Sequence, residues 1–178
     1  MGATFSRTKP SAAVLDYIFD FAARLGTSDT IATAACTVTN ATKDGESNDD
    51  TTATVRVSGG SNGITAKALC HIVTTLGYEY EETLALEIAD HQILAPIIKA
   101  PAEVLAIPAP TWSDLGDDTI SSYAWAAQTG LTIASGGSSA TVVISGGTLG
   151  SDYTLTCTMT TASGQVDVRQ RLIQVREK

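Results

Sequence analysis

Side chains able to do covalent, acid–base or metal chemistry are few in this chain and scattered along it. There are two histidines, His71 and His91, and three cysteines, Cys36, Cys70 and Cys157. By the alternation of its strand, His71 falls on the face opposite Cys70, which reads as a surface position. No Cys or His pair stands at zinc-site spacing, and no Gly-x-Ser-x-Gly nucleophile elbow is present. The three thiols are an odd number without close pairing, which fits a reducing compartment and small buried hydrophobes better than a disulfide framework. Gly59-Gly60-Ser61-Asn62-Gly63 lacks the lysine of a phosphate loop and precedes a strand, so these are turn glycines. The acidic stretch Asp44–Asp50 offers oxygens to a hard cation such as Ca²⁺ but lacks EF-hand spacing, and reads first as a solvated loop. Asn40-Ala41-Thr42 has the form of a glycosylation sequon and is read as incidental. The expectation is a protein that is not an enzyme, with no cofactor and no catalytic residues.

Composition excludes further classes. The 178 residues carry 11 basic and 19 acidic side chains, a net charge of −8, and no basic cluster. Phosphate neutralisation needs a basic face, so no nucleic-acid partner is expected. No apolar run reaches the length of a membrane span, so no membrane partner is expected. Asp16 and Asp20 break the apolar stretch after Arg7 and Lys9, which argues against a signal peptide. Met1-Gly2…Ser6 fits the loose myristoylation pattern that also arises by chance. Abundant threonine with only 6% aromatic residues leans toward β structure.

The elements that hold these residues come in two copies. Ala140-Thr141-Val142-Val143-Ile144-Ser145-Gly146-Gly147 stands over Ala53-Thr54-Val55-Arg56-Val57-Ser58-Gly59-Gly60. The same offset places Gly150 over Gly63, Cys157 over Cys70, Thr161 over Thr74 and Gly164 over Gly77. Upstream, Asp118-Thr119-Ile120 matches Asp29-Thr30-Ile31, and Lys99, Leu105 and Gly116 match Lys9, Leu15 and Gly26. Matches in one order over a whole unit define a tandem duplication. The reading is an N-terminal arm at 1–8, a first repeat at 9–90, a linker at 91–98 and a second repeat at 99–178.

Within a repeat, period two dominates. Tyr17, Phe19 and Phe21 alternate with Ile18, Asp20 and Ala22; a helix competes there, but Pro108 and Pro110 at the equivalent place favour an edge strand. Strands are expected at 51–58, 64–75 and 79–88 in repeat one and at 141–145, 153–161 and 166–175 in repeat two, joined by glycine turns. The fold class is therefore all-β, two tandem immunoglobulin-like β-sandwich domains. Cys36 takes the place of Trp125, so repeat two has the fuller core, with Trp125 near Cys157. Glu79, Glu81 and Glu82 read as a charged strand edge.

The wording of the repeats resembles the fiber-tail adaptor proteins of tailed bacteriophages. Repeat one keeps the opening as Leu15-Asp16-Tyr17 and Asp20-Phe21. Repeat two keeps the close as Ser145-Gly146-Gly147, Tyr153, Thr160-Thr161, Gly164, Asp167…Arg169 and Val175-Arg176-Glu177. Ala106-Ile107-Pro108 departs from the opening, and repeat one has lost the tryptophan. The resemblance implies a structural virion protein that joins tail fibres or other appendages to the tail. Its partners are then other phage tail or neck proteins and the tail fibre, within a symmetric homo-oligomer. It would be found in the virion tail, and in the host cytoplasm during assembly. Interface candidates chosen by residue type are Tyr17, Trp112, Tyr123 and Trp125, with Ile93 and Ile97 of the apolar linker. The competing readings are a carbohydrate- or surface-binding adhesion module stacking on Trp112 or Trp125, and another neck or tail structural protein.

Overall fold

The computed structural model describes residues 4–89, 93–112, 115 and 118–177. The chain divides into two compact units, Met1–Asp90 and His91–Lys178. In the first unit the strands are β1 (Thr4–Lys9), β2 (Leu15–Asp20), β3 (Ile31–Thr39), β4 (Thr42–Asn48), β5 (Thr52–Ser58), β6 (Thr65–Thr74) and β7 (Glu79–Ile88). The second has β8 (Ile93–Lys99), β9 (Leu105–Pro108), β10 (Ile120–Ala127), β11 (Leu131–Ser135), β12 (Thr141–Gly146), β13 (Asp152–Thr161) and β14 (Val166–Val175).

The two units share one topology. Unit one has the sheets β1-β7-β6-β3 and β2-β5-β4; unit two has β8-β14-β13-β10 and β9-β12-β11. The third, sixth and seventh strands form one layer and the second, fifth and fourth the other, as in seven-stranded immunoglobulin sandwiches. The first strand closes the larger sheet by running parallel to the last, β1 on β7 and β8 on β14. Alternation sets the core. Along β5, Ala53, Val55 and Val57 are buried, and along β7, Leu84, Leu86 and Ile88 are. Phe19 and Phe21 fill the first core, and Ile107, Leu155, Ile173 and Val175 the second. The segment where helix and strand competed is strand β2, at a sheet edge, and Pro108 ends β9, also at an edge.

Four features differ from the sequence reading. Residues 4–9 are not an arm: they pair with β7 from Thr4↔Thr83 to Lys9↔Ile88. Residues 93–98 are not a linker but most of β8, hydrogen-bonded to β14. Local patterning misses both because their partners lie at the far end of each unit. The acidic stretch is strand β4 followed by a turn. Its Glu46 accepts the Cys36 N–H at 2.7 Å and meets Lys43 at 3.2 Å, while Asp49 accepts the N–H groups of Thr51 and Thr52. Among the described residues no group of three or more acidic, His or Cys side chains is arranged to hold a metal ion. Finally, β7 lies between β1 and β6, and Glu82 turns inward against Arg24 at 2.9 Å. Burial pushes the Glu82 carboxyl up, with Arg24 opposing only in part.

The duplication extends to individual hydrogen bonds. Lys9 and Lys99 are fully buried, each inside a cage of main-chain carbonyls. Lys9 Nζ donates to Pro10 O at 2.9 Å and Gly59 O at 2.8 Å. Lys99 Nζ donates to Ala100 O at 2.8 Å, Pro101 O at 3.1 Å and Gly146 O at 2.7 Å. An ammonium has three protons, so such a cage satisfies a charge that burial would otherwise penalise heavily. The next residue in each Ser-Gly-Gly explains the second glycine. Gly60 and Gly147 have φ of 96° and 94°. A Cβ there would lie 2.8 Å from Ile88 Cγ1 and 2.7 Å from Val175 Cγ2, respectively. Only glycine meets both the conformation and the space.

At the opposite pole of each unit, the Asp-Thr-Ile aspartate clamps the hairpin between the sixth and seventh strands. Asp29 Oδ1 accepts from Thr75 Oγ1 at 2.8 Å and Leu76 N at 3.1 Å; Asp118 Oδ2 accepts from Ser163 Oγ at 2.6 Å. Burial raises the Asp29 carboxyl, but bonds from Thr74, Thr75 and the Leu76 and Thr30 amides outweigh it and hold it below 3.8. Ser163 and Thr161, with the Thr119 and Ser163 amides, pull Asp118 further down. A lowered folded-state value stabilises the fold above the ordinary 3.8, and the contribution drains as pH falls through the folded value. Both tryptophans belong to unit two, so their fluorescence reports it. Asp118→Asn is expected to be less stable than the parent at pH 7 and to lose less on acidification below pH 4. Parallel pH profiles would contradict the clamp.

Candidate functional site

Three of the residues chosen as anchors pack on the core of their own unit. Tyr17 packs on the first core, and Ile97 and Trp125 on the second. Trp112 is 8% exposed. Tyr123 is half-buried, on the same face of β10 as Trp125. The side chain of Ile93 lies outside the described residues. Trp125 sits opposite Cys157 in the β10–β13 register, as expected, and its Nε1 donates to Ser139 O at 2.9 Å. Tyr17, Ile97 and Trp125 thus pack at least in part on their own cores.

Exposed apolar side chains lie elsewhere, and the repeats place them differently. In unit one the β6–β7 hairpin presents Leu76 and Tyr78, 66% and 59% exposed. The equivalent residues of unit two are Ser163 and Gln165, so the same clamped turn is polar there. Unit two instead exposes Ile98, Val104 and Leu149. All three lie at the pole of the Lys99 cage: Ile98 precedes Lys99, Val104 ends the loop from it, and Leu149 precedes Gly150, whose N–H donates to Val175 O at 2.8 Å. In repeat one the positions of Ile98 and Leu149 hold Thr8 and Asn62. Ile18 on edge strand β2 and Ile64 before β6 add isolated exposure in unit one. Comparison of the repeats position by position picks out Leu76, Tyr78, Ile98 and Leu149, whose counterparts Ser163, Gln165, Thr8 and Asn62 are polar, whereas Val104 stands over Val14.

The inner face of the larger sheet also carries a row of unlike groups. Cys36, Cys70 and Glu82 stand side by side across β3, β6 and β7, where unit two has Trp125, Cys157 and Arg169. Two of the thiols are thus neighbours, contrary to the sequence reading. Their registers come from long-range pairing that spacing does not encode. His71, on the other face, meets Glu79 at 3.4 Å.

Two seven-stranded sandwiches with one framework and different exposed ends define a duplicated immunoglobulin-like β-sandwich protein. The model of the Gp77 family, described as podophage GP4 fiber-tail adaptor protein gp77, matches residues 9–87 and again 99–174. The chain belongs to that family, and each repeat carries one copy of its domain. No curated protein matches the chain. Similar solved structures include a chimeric titin Z1Z2 tandem, 12% identical over 97% of this chain and 95% of that one, with a TM-score of 0.35. Another is the IG1+IG2 pair of DIP-gamma, 9% identical over 100% and 96% of the chains, also at 0.35.

Proposed function

We propose that the chain is a structural protein of a tailed bacteriophage that joins the tail fibre to the tail body, without catalytic activity. The observation that carries this reading is the double match to the adaptor family over both repeats. The divergence of the exposed ends supports it. An adaptor must hold two unlike bodies at once, and two copies of one scaffold achieve that by changing surface positions while the framework stays fixed. In this reading the Leu76/Tyr78 turn seats in one protein partner, and the Ile98/Val104/Leu149 pole seats in the other. Both contacts bury apolar side chains that water now surrounds. Several copies closing around the tail axis complete the assembly, because cyclic symmetry leaves no open end. Peptide mass spectrometry of gradient-purified particles, normalised to the major capsid protein, tests this. The chain is expected at a few to a few tens of copies per particle; its absence from infectious particles would overturn the reading.

A further inference from the structure

Cys36 and Cys70 are directly opposed residues of the antiparallel strands β3 and β6, with their sulfur atoms 2.6 Å apart. Both are free thiols and buried. The Cys36 main chain turns away from β6: its N–H donates to Glu46 Oε2 at 2.7 Å, and its carbonyl accepts from Lys43 Nζ at 3.0 Å. The two cysteines therefore form a non-hydrogen-bonded antiparallel pair, the kind in which Cα atoms approach to about 4.5 Å and side chains are closest. That separation lies within the range a disulfide spans, roughly 4.4–6.8 Å.

We propose that Cys36 and Cys70 are a redox-responsive pair, open as two thiols in a reducing compartment and closed as a cross-strand disulfide on meeting a low-molecular-weight disulfide. The inference concerns unit one alone and stands apart from the adaptor reading. Cys36 thiolate attacks one sulfur of the small disulfide and expels a thiolate, giving a mixed disulfide. Cys70 then loses its proton to solvent, attacks Cys36 Sγ and expels the second small thiolate. The protein loses two hydrogens and two electrons, and the small disulfide becomes two thiols. The polarity of the pair suits that order. Their shared hydrogen bond lowers Cys36 against its burial, and the same bond together with burial raises Cys70. Glu46 opposes ionisation of both sulfurs, Glu82 adds to this at Cys70, and Lys43 offsets part of it at Cys36. Cys36 lies on the outer strand of its sheet, so the reagent reaches its buried sulfur when that edge strand opens. Cys157 is the built-in control: it faces Trp125 and not a thiol, and burial pushes it up to about 11.

The test incubates the full chain with oxidised glutathione and reads intact mass, denatured free-thiol content and peptide maps under non-reducing conditions. Expected is a loss of two hydrogens, a fall from three thiols to one, and a linked peptide joining Cys36 to Cys70. The closed loop spans 34 positions. Its formation is expected to raise the melting temperature of unit one by about 10 °C or more, reversed by dithiothreitol. Cys36→Ala and Cys70→Ala should each abolish the mass change and the shift. Glutathione adducts without the internal link, three persistent thiols, or a Cys157-linked dimer as the main product would each overturn the proposal on the parent chain, whatever the variants do.

Discussion

Replacing Lys99 by methionine is expected to unfold the second unit at a temperature lower by more than about 10 °C, and Lys9→Met to do the same to the first. Methionine keeps most of the volume but none of the donors. The carbonyls of Ala100, Pro101 and Gly146 would each lose the ammonium proton they now accept. A buried acceptor left without its donor costs roughly 1–3 kcal/mol. Against this, the variant no longer carries the desolvation cost of a buried cation, which is itself roughly several kcal/mol. The carbonyl loss wins because the cage is main chain and cannot turn away. A net loss of about 2–4 kcal/mol follows, a large part of what a unit of this size has. Arginine should not rescue it, since its planar fork does not fit a site built around a point donor. Calorimetry of the full chain checks both variants. A Lys99→Met protein that melts like the parent would show that the cage holds nothing together.

The second large effect is on assembly rather than stability. Giving the unit-one turn its unit-two side chains, Leu76→Ser with Tyr78→Gln, is expected to leave melting within a few degrees of the parent. The Asp29 clamp uses the Leu76 amide and the Thr75 hydroxyl, and the Tyr78 amide takes Thr74 Oγ1, so none of these bonds needs the exchanged side chains. Binding to the partner that seats this turn is expected to fall by roughly 100-fold, about 3 kcal/mol, the scale of losing a central aromatic and its neighbour. Complementation of particles lacking the chain, scored by fibre retention, gives the readout. Full retention by a folded double variant would remove the turn from the interface.

Much of the fold was legible because its signals are local. Alternation in Tyr17–Phe21 and along β7, and glycine at the sharp turns, fix strands without knowledge of their partners. The duplication supplied what a single copy cannot, since Pro108 settled the nature of β2 and the matching Lys9 and Lys99 marked a shared position. What escaped depends on long-range pairing. β1 and β8 bond to strands at the far ends of their units, so an arm and a linker were the local readings. Lysine reads as surface in any sequence, and only the carbonyls of the following loop and of Ser-Gly-Gly make burial possible. Cys36 and Cys70 meet only through the β3–β6 register. Residue type alone does not separate anchors from core: Tyr17 is large and apolar whether it faces a partner or packs on its own core. Exposed Leu76 and Tyr78 become visible only against the polar turn of the other repeat.

In the proposed assembly both sandwiches stand between the tail body and the fibre, each holding a different neighbour. Electron cryomicroscopy of intact particles tests it most directly. Expected are two seven-stranded densities per copy, repeated around the tail axis, with the Leu76/Tyr78 turn against one partner and the Ile98/Leu149 pole against another. Fibres seated directly on the tail, with no such density between them, would contradict it.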